Sequence, residues 1–90
     1  TYGETPLTSM EKIVKGFNIP KGSRWLDMGS GRGRLPFFLS QVMGMRVTGV
    51  ENVPTLYEIS MKAYRMFKPQ DVEFLLEDFF LTSFAGYEVI

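Results

Sequence analysis

The 90-residue chain contains neither cysteine nor histidine. Disulfides, thiolate nucleophiles, histidine bases and the common zinc sites are excluded together, and no metal is expected. No apolar run approaches the roughly 20 residues needed to cross a membrane, and no stretch reads as a signal peptide. Charge of one sign is also missing as a theme: ten Lys and Arg balance ten Asp and Glu. No overall field therefore draws in nucleic acid or an anionic lipid surface. The lack of cysteine fits a reducing compartment, and the cytoplasm is the expected location.

What is present is ordinary in bulk and uneven in detail. The chain is 44% hydrophobic and 22% charged, as expected of one small globular domain. Asp71 to Ile90 carries acids and no base, whereas Lys12 to Arg46 is mostly basic. The organising stretch is Trp25-Leu26-Asp27-Met28-Gly29-Ser30-Gly31-Arg32-Gly33. Its apolar start reads as a short buried strand that delivers an acid to the strand's end. Three glycines at alternate positions then turn the chain, and from Arg34 the spacing becomes helical, with Leu35, Phe38, Leu39, Val42 and Met43 on one face. Strand, glycine turn and helix make the opening unit of a nucleotide-binding α/β fold.

The remaining elements follow in alternation. Thr8-Ser9-Met10-Glu11 has capping-box spacing and opens a helix with Met10, Ile13, Val14 and Phe17 on one face. Met45 to Val50 reads as a second strand ending at Glu51. Asn52-Val53-Pro54 then turns into a helix whose buried face is Leu56, Ile59, Ala63, Met66 and Phe67. Val72 to Leu76 is a third strand, Glu77-Asp78-Phe79-Phe80 leads into a loop, and Tyr87 to Ile90 is a fourth strand. Strands separated by helices imply a parallel sheet with right-handed crossovers.

In such a sheet the acids Asp27, Glu51 and Asp78, each closing a strand, face one edge. A ribose calls for a carboxylate that accepts from both hydroxyls, and an adenine amino group calls for an acceptor. Glu51 follows the glycines at roughly the interval of a ribose-binding acid. A dinucleotide fingerprint, however, needs its third glycine at the position of Arg34. A tight turn serving no ligand is the plain structural alternative.

With Asp27-x-Gly29-x-Gly31-x-Gly33, the sequence resembles the class I S-adenosylmethionine-dependent methyltransferases. That resemblance implies a Rossmann-like α/β fold with a partial parallel sheet of order 3-2-1-4 and flanking helices. It also implies S-adenosylmethionine as cofactor. Gly29, Ser30, Gly31 and Gly33 would form the cofactor turn, with Asp27 orienting it and the methionine amino group. Glu51, with Asn52 beside it, would meet the ribose, and Asp78 the adenine amino group. Phe79 and Val53 would flank the base, or else belong to the core. Arg32 and Arg34 read as solvated, with neutralising the methionine carboxylate as their other role.

A narrower resemblance joins Tyr2-Gly3-Glu4-Thr5, Gly49-Val50-Glu51 and Glu77-Asp78-Phe79-Phe80. These look like the cofactor pocket of the non-SET histone-lysine methyltransferases and their bacterial relatives, and by that likeness Tyr2, Glu4 and Thr5 would close the methionine end. The acceptor stays open between a protein lysine and a small molecule, and no catalytic residue can be named. With four strands against the family's usual seven or so, residues 1–90 are expected to be the cofactor-binding portion of a single domain cut at its C-terminus. The exposed fourth strand is then a place for self-association. A non-catalytic nucleotide-binding or interaction module and, further off, an NAD-dependent oxidoreductase are the rival readings.

Overall fold

A computed structural model describes residues 7–90. Its elements run α1 (Leu7–Gly16), β1 (Arg24–Met28), α2 (Arg34–Gln41), β2 (Arg46–Glu51), α3 (Pro54–Phe67), β3 (Val72–Leu76) and a 3-10 turn, Phe79–Leu81. The three strands are parallel, in the order β1-β2-β3, with Asp27 opposite Gly49 and Glu51 opposite Leu76. Alternation along the strands places Trp25, Val47, Val72 and Phe74 on one face and Leu26, Val50 and Leu75 on the other.

All three helices pack on the first face. Val14 of α1 and Leu39 of α2 join Trp25, Met45 and Val47 in one buried cluster. Phe74 of β3 meets Phe37 of α2 at 5.6 Å and Tyr64 of α3 at 6.4 Å between ring centroids. Right-handed connections explain this arrangement, because β1 to β2 to β3 steps in one direction and keeps its crossovers on one side.

After β3 the chain reverses. The Glu88 N–H donates to the Arg24 carbonyl at 2.8 Å, and the Leu26 N–H donates to the Val89 carbonyl at 2.9 Å. Val89 thus lies beside β1, on the side away from β2. To reach that place, the segment after Leu76 must travel back across the sheet on the face the helices leave open. The fourth strand expected over Tyr87 to Ile90 is a single parallel bridge, Trp25 to Val89, so among the described residues the sheet has the strand order 3-2-1, with that bridge on the far side of β1 in place of a full fourth strand.

All three helices differ in part from their expected faces. In α2, Val42 lies beyond the last helical residue, Gln41, and is 63% exposed. Thr8 already lies inside α1, so the capping box does not open that helix, and Phe17 falls beyond its end and is 77% exposed. In α3 the inward row is Leu56, Ser60, Ala63 and Tyr64, while Met66 and Phe67 are exposed. The helix is turned by about one position because Tyr64 meets Phe74 edge to face and Ser60 is drawn inward by a hydrogen bond to Gly31. An apolar pattern alone does not register a buried hydroxyl.

Candidate functional site

The carboxyl edge of the sheet gathers the chemistry, because each parallel strand ends there on a polar residue or a turn. After Met28 the glycine turn doubles back over β2. The Gly29 and Ser30 N–H groups both donate to the Val50 carbonyl, at 2.7 and 3.0 Å, and the Gly33 N–H donates to the Ser30 carbonyl at 3.0 Å. Two glycines carry specific demands. Gly33 sits at φ +87°, and a Cβ there would meet Phe74 Cζ and Ser60 Oγ, each at 2.9 Å. Gly31, at φ +60°, is buried and held at both its N–H and its C=O.

Glu51 does not stand free at the strand end. It is 3% exposed, and its carboxylate accepts from three backbone groups. Gly31 N–H reaches Oε1 at 2.8 Å, while Asn52 and Val53 N–H each reach Oε2 at 3.0 Å. One side chain therefore fastens the glycine turn to the approach of α3. A carboxylate has about four acceptor sites, so these bonds leave room for roughly one further donor.

Asp27, next to the end of β1, is half-buried. Burial, and then the negative charge of Glu51, push its carboxyl from the ordinary 3.8 up to about 6. Because the folded-state value is raised, this group's contribution to stability is complete below about pH 4 and is lost as pH rises through 6. Asp27→Asn should therefore stabilise the ligand-free protein above pH 6, by about 2–3 kcal/mol at most, and make no difference below pH 4. Urea melts across that range check it; a gap between the two proteins that stays constant with pH would rule the account out. A cation placed beside Asp27 favours the ionised form, so a cationic ligand should bind more tightly as pH rises toward 6.

Asp78 is exposed, and its Oδ1 accepts from the Phe80 N–H at 2.9 Å, capping the 3-10 turn. That cap sets the position of Phe79, whose ring lies 3.9 Å from where a Gly29 Cβ would stand. Asn52, Pro54, Leu76, Glu77, Asp78 and Phe80 line an open cleft of about 550 Å³ between the ends of β2 and β3, within the range of small-ligand sites. A second, more polar cleft of about 320 Å³, bordered by Arg24, Arg46, Asp71 and Tyr87, lies at the strands' opposite ends, away from the glycine turn.

The structure thus brings Asp27, Gly29, Ser30, Gly31, Gly33, Glu51, Asn52, Asp78 and Phe79 to one edge. Asn52 and Asp78 line the cleft, while Glu51 and Gly31 lie beneath it, bonded to each other. Tyr2, Glu4 and Thr5 lie outside the described residues. Arg32 and Arg34 are exposed, and Val53 is 41% exposed. Ser60 is the member that sequence reasoning passed over: 1% exposed on α3, it donates to the Gly31 carbonyl at 3.1 Å. Its signal was present, four residues after Leu56 on the helix's inner row.

The described residues fit a nucleoside ligand bearing an amino-acid end. The Ser30 hydroxyl is buried within the turn without a hydrogen-bond partner, and an aromatic ring stands against Gly29. Carboxylates lie both at the end of β3, where Glu77 and Asp78 line the cleft, and beside the turn, at Asp27.

Comparison with known proteins agrees with this chemistry. A family model described as "Histone methylation protein DOT1" matches residues 1–77. An RNA methyltransferase from Salinibacter ruber, solved with S-adenosyl-L-homocysteine, superposes with a TM-score of 0.83 at 24% identity, over 97% of this chain and 58% of its own. A variant of the protein MtNAS, solved with S-adenosylmethionine, gives 0.71 at 27% identity over 80% of this chain and 28% of its own. Coclaurine N-methyltransferase, bound to N-methylheliamine and S-adenosylhomocysteine, gives 0.70 at 25% identity over 94% of this chain and 27% of its own. The chain therefore spans between 27% and 58% of the length of these structures. No curated protein sequence matches it.

Proposed function

This chain belongs to the DOT1 histone-methylation family and has the Rossmann-like fold of the methyltransferases, and from that premise we propose that residues 1–90 are the S-adenosylmethionine-binding portion of a single methyltransferase domain. The observation that carries the proposal is the convergence at one sheet edge of the glycine turn, Glu51, the Asp78-lined cleft and the Phe79 ring over Gly29. Asp78 and Phe79 would hold the adenine side, Glu51 and Asn52 the ribose side, and Gly29 to Gly33 with Asp27 the amino-acid end. Tyr2, Glu4 and Thr5 belong to the same proposed site. When bound, the cofactor supplies an electrophilic methyl group on a sulfonium, whose departure leaves a neutral thioether. The chain's own residues align that group and exclude water from it.

The acceptor we propose is a nitrogen nucleophile on a protein, in keeping with the family's description as a histone-methylation protein, and a lysine by the likeness of the pocket motifs to the non-SET enzymes. The structures compared span an RNA methyltransferase and a small-amine methyltransferase, so a small molecule is the alternative acceptor. A lysine would have to lose its proton before attack, which apolar surroundings favour. We place the protein in the cytoplasm, a choice supported by its lack of cysteine; fractionation of cells expressing the whole protein checks it. Among the described residues no helix is long and apolar enough to cross a membrane.

A second reading has one specific observation in its favour. Glu51 is already occupied by three backbone donors, as it would be in a module that keeps the fold without binding the cofactor. Calorimetric titration with S-adenosylhomocysteine and with NAD decides. We expect heat of binding for the first and none for the second, since α2 starts at Arg34, where a dinucleotide turn has its third glycine. Binding of NAD alone would identify an oxidoreductase site, and binding of neither would favour the non-catalytic module.

A further inference from the structure

Gly31 is gripped from two sides. Its N–H donates to Glu51 at 2.8 Å, and its carbonyl accepts from the Ser60 hydroxyl at 3.1 Å. Ser60 sits on the inner row of α3, and its single hydroxyl proton has a second acceptor within reach, the Leu56 carbonyl at 3.3 Å. In an ordinary helix the hydroxyl would settle on that fourth-preceding carbonyl. Here the shorter contact crosses to the turn, and the missing Cβ of Gly33 makes the space for it, since that atom would stand 2.9 Å from Ser60 Oγ.

The consequence lies in the next peptide unit. A trans peptide points its C=O and N–H in opposite directions. Holding the Gly31 carbonyl inward, toward α3, therefore turns the Arg32 N–H outward. Among the described residues that N–H donates to no group, and Arg32 is exposed. The neighbouring amides of Gly29, Ser30, Gly31 and Gly33 are all spent within the protein, so the turn presents few donors to a ligand.

We propose that Ser60 is a positioning residue for the cofactor site, orienting the Arg32 N–H as a donor to the carboxylate at the ligand's amino-acid end. This rests on the S-adenosylmethionine reading above. The role belongs to a residue that touches no ligand and lies 29 positions from the carbonyl it holds. It also ties the helix whose first residues border the adenine-side cleft to the turn that serves the other end of the ligand.

The test compares two ligands that share the nucleoside and differ in the amino-acid end. Calorimetry with S-adenosylhomocysteine and with methylthioadenosine is run on wild type and Ser60→Ala. We expect Ser60→Ala to weaken S-adenosylhomocysteine about tenfold, the scale of one hydrogen bond to a charged group, and methylthioadenosine by less than about threefold. A general loosening of the site would weaken both alike, and that result overturns the proposal, as does unchanged binding of S-adenosylhomocysteine. Should Ser60→Ala not fold, Ser60→Cys keeps the volume with a weaker donor and should show the same selectivity at smaller amplitude; equal losses for the two ligands would refute the role there as well. If wild type binds neither ligand, the cofactor reading fails and the positioning role with it. If wild type binds both and the variants do not discriminate, only the role of Ser60 fails.

Discussion

Glu51→Ala should lower the stability of the ligand-free protein by about 3 kcal/mol or more and abolish measurable binding of S-adenosylhomocysteine at the same time. The stability loss comes from three backbone N–H groups, at Gly31, Asn52 and Val53, that lose their acceptor. The Gly31 bond is buried, so water cannot readily replace it, and a buried donor left unmade costs about 1–3 kcal/mol. Against a total stability of roughly 5–13 kcal/mol for a chain of this size, that is a large share. The binding loss follows because the same carboxylate fixes the glycine turn and has about one acceptor site left for a ribose hydroxyl. Removing its negative charge should also bring Asp27 down from about 6, a change visible in the carboxyl chemical shift on titration. Urea denaturation and calorimetry on the one variant separate the roles. An unchanged melt with lost binding would make Glu51 purely a ligand residue, and unchanged binding would remove it from the site.

Gly33→Ala is expected to cost about 2–4 kcal/mol of stability. Two independent penalties add. The backbone at φ +87° is one that a residue with a Cβ adopts only at a cost, and the new Cβ would lie 2.9 Å from both Phe74 Cζ and Ser60 Oγ. The Phe74 ring cannot simply step aside, since Phe37 and Tyr64 pack against it. Relief would have to come from Ser60, at the expense of its bond to Gly31. Guanidinium melts measure the loss; a change below about 1 kcal/mol would mean that the turn relaxes far more freely than its packing implies.

The sequence spoke clearly where periodicity and spacing carry the information. The strand-turn-helix unit around Asp27 to Gly33, the β2 end at Glu51 and the β3 limits are where alternation and glycine placement put them. The inner face of α3 was misread because Met66 and Phe67 are apolar and Ser60 is not, and only the three-dimensional neighbour Gly31 explains why a hydroxyl is buried. Thr8 falls inside α1, one position past its first described residue, because a four-residue box does not fix a helix limit to better than one or two positions. The last strand was read as longer than it is: Val89 pairs with the free edge of β1, but the pairing stops at one bridge, because strand composition does not fix how far a pairing extends. For Glu51 the residue type and position were legible, yet its threefold engagement with backbone was not. Side-chain direction at a strand end is settled by the turns around it, and these turns are assembled from residues far apart in the chain.

The single bridge between Trp25 and Val89 also bears on how unevenly this fold is held together. Arg24 and Arg46, at the start of the β1 and β2 pairing, are 22 positions apart, whereas Arg24 and Glu88 are separated by 64. Closing the longer loop costs about 1 kcal/mol more chain entropy than closing the shorter one, and few backbone bonds are there to offset it. The bridge is therefore the contact that a folding chain gains late and surrenders early, while the glycine turn and its carboxylate can form from the middle of the sequence alone. Local opening at Val89 would uncover one side of β1, the strand that carries Asp27, with the three-stranded sheet still intact.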